Sequence, residues 1–99
     1  MNLKPCTKFI TNSPTKQLFH VLQEVREVLT AFISWKIARW RGKDGVAELR
    51  HMGEEITDLQ TAGETLLLVL GFSSWRRKKF KITVAEKNRR RGYFVEGER

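Results

Sequence analysis

The sequence predicts an all-α fold: an antiparallel helical hairpin plus a third basic helix, completing a bundle by oligomerisation. Three observations predict it. Apolar residues recur at three- and four-residue steps through two long stretches, the pattern of amphipathic helices. A polar turn with two glycines, Trp40-Arg41-Gly42-Lys43-Asp44-Gly45, separates them. Only residues 80–84 alternate like a strand, and a lone strand would have no partner for its backbone groups.

At 99 residues the chain fits one domain, small enough that association between copies would add to a modest core. Its composition, 40% hydrophobic and 30% charged, is that of a soluble globular domain and argues against disorder away from the ends. Residues 1–12 lack periodicity and read as a flexible N-terminal arm. Ser13 and Pro14 form a helix start, with Ser13 as N-cap and Pro14 at the first helical position. Leu18, Val21, Leu22, Val25, Val28, Leu29, Phe32 and Ile33 then mark a helix to about residue 37 or 39. Phe32, Trp35 and Trp40 cluster near its end, where they are expected to cap the core.

Asp44 is the expected N-cap of the second helix, whose apolar face carries Leu49, Met52, Ile56, Leu59, Gly63, Leu66, Leu67 and Leu70. Gly71 ends it. Two long helices joined by a short turn should pack antiparallel. Ser73 or Ser74 caps a third helix from Trp75 to about Arg91, stopped by Gly92. Residues 93–95 are expected to fold back on the bundle, closing a domain over 13–95, with 96–99 loose. The chain reads as free of internal repeats and low-complexity tracts.

Acidic residues break the helical pattern at two places. Glu24 and Glu27 lie one turn apart on the first helix, and Glu55 and Asp58 one turn apart on the second. Glu24 and Asp58 are equidistant in sequence from Arg41, as are Glu27 and Glu55, so a hairpin turning near Arg41 sets all four carboxylates at one level. Glu55 borders the apolar face, beside Met52, Leu59 and Ala62, where a carboxylate is costly to desolvate without a cation. Glu24 and Glu27 border Val21 and Val28, and taken alone look solvated. Either pair alone is an ordinary charged helix face; the mirrored placement makes the two together a candidate metal site. Four oxygen ligands without a Cys or His cluster point to Mg²⁺, with Mn²⁺ a possible substitute. His20 and His51 read as surface or packing residues.

Several chemistries are excluded or left without residues to carry them. There is no GxxxxGK[ST] loop, hence no P-loop mechanism, and no Ser, Cys or His nucleophile is evident. Cys6 is the single cysteine, so neither an internal disulfide nor a Cys-rich metal motif can form. The apolar runs at 28–33 and 66–70 are far too short to span a bilayer and no leader is evident, so no membrane association and a cytoplasmic location are expected. The net charge is +8, and ten of the 19 Lys and Arg residues follow Trp75, which suits a ligand carrying phosphates or a nucleic acid.

Glu24-x-x-Glu27, Glu55-x-x-Asp58, the leucine-rich run to Gly71 and the closing Lys87-Asn88-Arg89-Arg90-Arg91-Gly92-Tyr93 together resemble the MazG-like nucleoside triphosphate pyrophosphohydrolases of the all-α NTP pyrophosphatase superfamily. The resemblance spans residues 13–94. It implies a homodimer or homotetramer that cleaves NTP or dNTP between the α and β phosphates to the monophosphate and pyrophosphate. Carried over by position, Glu24, Glu27, Glu55 and Asp58 would hold magnesium and form the catalytic centre. Lys87 and Arg91 would bind the triphosphate substrate, with Asn88 and Tyr93 in support. Some family members have a further Glu directly before the first motif, where this chain has Gln23.

Two other readings fit parts of the chain. A small basic nucleic-acid-binding helical protein would use residues 75–81 and 87–91 along phosphates, with Trp75, Phe80 and Tyr93 stacking. A non-catalytic helical adaptor accounts for the apolar stripes but leaves the mirrored carboxylates unexplained.

Overall fold

A computed structural model describes residues 3–9 and 11–95. A short 3₁₀ turn (Thr7–Phe9) precedes three helices, α1 (Pro14–Trp40), α2 (Val46–Val69) and α3 (Ser74–Arg90), and no strand occurs among the described residues. Residues 80–84 lie inside α3, so their alternation is overridden by the flanking helical spacing. The expectation for residues 96–99 lies outside the described residues.

The helix ends follow local chemistry. Ser13 Oγ accepts the Lys16 amide at 3.1 Å and Ser73 Oγ accepts that of Arg76 at 3.2 Å, each satisfying a first-turn donor. At the start of α2 the N-cap is Gly45 rather than Asp44. Asp44 still serves from one residue earlier, its Oδ1 accepting the Val46 amide at 3.1 Å. Gly45 holds that place because its φ is 72° and a Cβ there would lie 3.1 Å from both Trp35 and Arg39 side-chain atoms. Gly71, at φ 92°, closes α2: its amide donates to Leu68 O and that of Phe72 to Leu67 O.

α1 and α2 pack as an antiparallel hairpin. Apart from His20, the residues shielded along α1 are Gln17, Val21, Glu24, Val28, Ala31, Trp35 and Ala38, alternating steps of four and three. On the other side Gly45, Glu48, Met52, Glu55, Leu59 and Ala62 alternate steps of three and four. This is the seam of a two-helix coiled coil. Its register is constant: Trp35 lies against Gly45, Glu24 against Glu55 and Asp58, and the Gln17 amide donates to Ala62 O. Because Trp35 is level with Gly45, the last turn of α1 overshoots α2, and Trp40 stands 85% exposed instead of capping a core.

The seam differs from the apolar face that the spacing predicts. Val21 and Val28 enter it, but Leu18, Leu22, Val25, Leu29, Phe32 and Ile33 are exposed. The buried apolar residues among those described are three alanines, Ala31, Ala38 and Ala62. The exposed leucines of α1 each sit one residue after a seam position, as do Leu49, Ile56 and Gly63 on α2. Antiparallel helices turn in opposite senses when viewed from one end, so both "one-after" stripes lie on one side of the hairpin. The "one-before" stripes, with His20, Gln23, Glu27 and Thr30 facing His51, Asp58 and Thr61, lie on the other. One chain therefore presents an apolar face and a polar face on opposite sides of a thin seam.

α3 has no buried residue. Among the described residues its side chains meet α2 and the following turn through the first two turns: Arg77 and Lys81 bond Glu64, and the Phe80 ring packs edge-on against Phe72 at 5.0 Å. Tyr93, Phe94 and Val95 are exposed and do not fold back on the hairpin. Instead the Tyr93 amide donates to Asn88 O, which turns the chain back along α3 itself. The N-terminal segment is tied down by the Cys6 amide on Thr65 Oγ1 at 2.9 Å and by Phe9 beside the His20 ring.

Candidate metal centre

Midway along the hairpin, Glu24 and Glu55 occupy seam positions level with each other, and their side chains are only 13% and 14% exposed. Asp58 and Glu27 stand three residues further along each helix, on the polar side of the seam, and both are exposed. One carboxylate oxygen from each of Glu24, Glu55 and Asp58 falls within 4.8 Å of the other two. Glu27 stands outside this trio, and its charge acts on both Glu24 and Glu55. The structure thus brings three of the four predicted carboxylates into one cluster and sets the fourth against it. Glu24, which taken alone looked solvated, is inside the seam because Val21 and Val28 share its stripe.

Burial pushes the Glu24 carboxyl above its ordinary value, helped by the charges of Glu27, Asp58 and Glu55 and opposed by His20. Glu55 moves the same way through burial first, then the hydrogen bond and charge of Glu27 and the charge of Asp58, with His51 opposing. Oε2 of Glu24 and Oε2 of Glu55 are buried and lack a hydrogen-bond partner. Buried acceptors are normally satisfied, so these two oxygens lack the donor or cation that such a setting requires. An all-oxygen donor set with unspent acceptors fits a hard divalent cation such as Mg²⁺ or Mn²⁺.

Glu55, with Glu27, lines a groove of about 470 Å³ whose other walls are Gln23, Arg26, Thr30, Ala31, Ser34 and His51; Glu24 and Asp58 are not among its lining residues. Most of its lining residues are polar or charged, and none of Lys87, Asn88, Arg91 or Tyr93 lines it. Those four lie at the far end of α3, where the Arg91 guanidinium sits 5.9 Å from the Tyr93 ring centroid.

The histidines belong to the site in a way that sequence reading missed. His20 Nε2 lies 3.6 Å from Glu24 Oε1, and His51 Nε2 lies 3.5 Å from Glu55 Oε1. The signal was present as a local repeat. His20-x3-Glu24-x2-Glu27 and His51-x3-Glu55-x2-Asp58 have the same spacing on the two helices, and the hairpin sets them face to face. Glu54, by contrast, is exposed and outside the cluster.

Fold and site together define an all-helical hairpin protein with a carboxylate centre open on its polar face. No protein-family model, no curated protein and no solved structure matches this chain. The likeness to the pyrophosphohydrolases rests on the residues named above. Among the described residues no helix is long and apolar enough to cross a membrane.

Proposed function

We propose that the protein is a Mg²⁺-dependent nucleotide pyrophosphohydrolase, cleaving NTP or dNTP between the α and β phosphates. The observation that carries this reading is the Glu24–Glu55–Asp58 cluster, in which two buried carboxylate oxygens lack any partner. These three residues would hold the cation. When bound, Mg²⁺ supplies charge neutralisation for phosphate oxygens and acidifies water. Glu27, exposed at the groove edge beside Glu55, accepts the proton as water adds across the anhydride and the bridging P–O bond breaks. His20 and His51 hold Glu24 and Glu55 in place from one turn away. By the resemblance, Lys87 and Arg91 would take the leaving pyrophosphate, with Asn88 and Tyr93 in support.

The same reading includes self-association. A core of three alanines is small for a free-standing hairpin, and the leucine stripe on the side away from the groove is the surface a second copy would bury. A homodimer or homotetramer then forms with its carboxylate grooves facing outward. A cytoplasmic site of action, where nucleoside triphosphates occur, belongs to this reading.

The test is pyrophosphate release from a panel of NTPs and dNTPs in Mg²⁺. At least one nucleotide is turned over by the wild type, and Glu55→Gln or Asp58→Asn abolishes turnover with helicity retained. A wild-type protein that neither binds Mg²⁺ nor hydrolyses any member of the panel overturns the reading.

A further inference from the structure

α3 carries eight Lys or Arg residues and one acid in 17 positions, and it buries none of them. Two of the cations, Arg77 and Lys81, are spent on Glu64. The pyrophosphohydrolase reading uses Lys87, and Arg91 just beyond the helix. Arg76, Lys78, Lys79, Arg89 and Arg90 remain, all exposed and without a carboxylate partner among the described residues. At 1.5 Å per residue they form two clusters roughly 20 Å apart along the helix. On a 100° wheel they spread over the side away from Arg77 and Lys81, which face Glu64.

Like charges three and four residues apart destabilise a helix, and α3 has no buried face to offset them. A long polyanion would relieve that repulsion. The apolar residues of α3 do not form a second stripe: Ile82 and Val84 lie about 200° apart on the wheel, so the helix lacks the single apolar side that a membrane surface or a partner helix would take. What the outer side does offer is Trp75, exposed, with Lys79 Nζ 5.0 Å from its ring centroid. A flat aromatic set among exposed cations is the arrangement that binds a phosphodiester backbone and stacks on a base.

We propose that α3 is a nucleic-acid-binding arm, holding the phosphate backbone of DNA or RNA through Arg76, Lys78, Lys79, Arg89 and Arg90, with Trp75 against a base. The surface is separate from the carboxylate groove and does not depend on the enzymatic reading. It serves to keep the hairpin on a nucleic acid.

The test is fluorescence anisotropy of the full chain with labelled duplex DNA, duplex RNA and the corresponding single strands, over salt from about 50 to 200 mM. Five phosphate contacts predict a log–log salt slope of about −4 to −5 for a duplex, hence a loss of two to three orders of magnitude in affinity over that range. Changing all five cations to Gln weakens binding at least tenfold and flattens the slope by about one for each contact removed. The variant with Arg and Lys exchanged at those five positions, charge retained, restores binding and controls for folding. Glu55→Gln binds as the wild type does, and helicity rises on binding. Absence of binding to every nucleic acid at low salt overturns the proposal. So does binding that the five Gln substitutions leave unchanged, or tighter binding to vesicles containing phosphatidylserine than to any nucleic acid.

Discussion

Glu24 and Glu55 face each other across the α1–α2 seam, each with a histidine one turn toward its own N-terminus and each with one buried oxygen left unpartnered. Two carboxylates in a coiled-coil seam replace packing with like-charge repulsion. The hairpin bears this cost at one level only, with Val21 and Val28 a turn on either side of Glu24 and Met52 and Leu59 on either side of Glu55.

The sign of that cost can be measured. Both carboxyls are raised in the folded protein, so below neutrality the folded state binds protons that the unfolded state releases. Metal-free protein therefore gains stability as pH falls from the raised folded values toward the ordinary value near 4.5, and loses it again as pH rises through the same window. Glu55→Gln mimics the protonated form. It melts higher than wild type at pH 7 in EDTA, and the difference closes toward pH 4.5. A lower midpoint for the variant at pH 7 would show that Glu55 is not repelled in its setting.

Divalent cations should stabilise the fold through the same residues. Binding to the native state alone adds about 2.7 kcal/mol at a hundredfold excess over Kd. For a domain of this size that is a rise in Tm of roughly 10 °C or more. Glu24→Gln and Asp58→Asn lose this shift, whereas Glu54→Gln, outside the cluster, keeps it. Equal shifts in all four proteins would place the cation elsewhere.

The turn offers a local test of the register. Gly42 and Gly45 both have positive φ, but a Cβ at Gly42 meets nothing within 4 Å while one at Gly45 meets Trp35 and Arg39. Gly42→Ala should cost only the left-handed backbone penalty, about 1–2 kcal/mol. Gly45→Ala adds a displaced Trp35 and lowers Tm further, with a change in tryptophan fluorescence that Gly42→Ala lacks. Chemical denaturation followed by fluorescence reads both.

Much of this architecture was legible in the sequence because it is set by local chemistry. Ser13 and Ser73 cap, Gly71 stops, and the helical steps give all three helices, since each depends on neighbours within one turn. The level of the carboxylates was also legible, because equal distance from the turn survives a shift of the register by a residue or two. Which apolar residues form the seam was not. Leu22 and Val28 have the same character, and only the partner helix decides that Val28 enters the seam while Leu22 does not. The same applies to Tyr93, whose packing depends on where α3 points rather than on its own spacing.

The exposed leucine stripe makes the assembly testable. Leu22→Glu with Leu29→Glu places two charges on the face away from the groove, each roughly two turns apart on α1. In sedimentation equilibrium the wild type is dimeric or tetrameric and the double variant monomeric, with lower helicity because an isolated hairpin buries too little apolar surface. A wild type that is monomeric and fully helical at tens of micromolar would show that three buried alanines suffice.

Glu64 governs whether α3 keeps its place. Its side chain is 8% exposed, bonded to Arg77 Nε at 3.3 Å and Lys81 Nζ at 2.9 Å. Removing one member of a buried ion pair costs about 3–5 kcal/mol when the other charge is stranded. Here the cost is smaller. Lys81 is half exposed and returns to water, and Arg77 keeps the Phe72 carbonyl at 2.8 Å through Nη1. Glu64→Gln should therefore destabilise the attachment of α3 by about 1–2 kcal/mol. The hairpin, which among the described residues is ion-paired to α3 at Glu64, stays folded. Hydrogen exchange separates the two: amides of α3 exchange about five- to thirtyfold faster in the variant, while those of the α1–α2 seam near Glu24 and Glu55 are unchanged. Faster exchange throughout the chain would mean instead that α3 supports the hairpin and is not simply tethered to it.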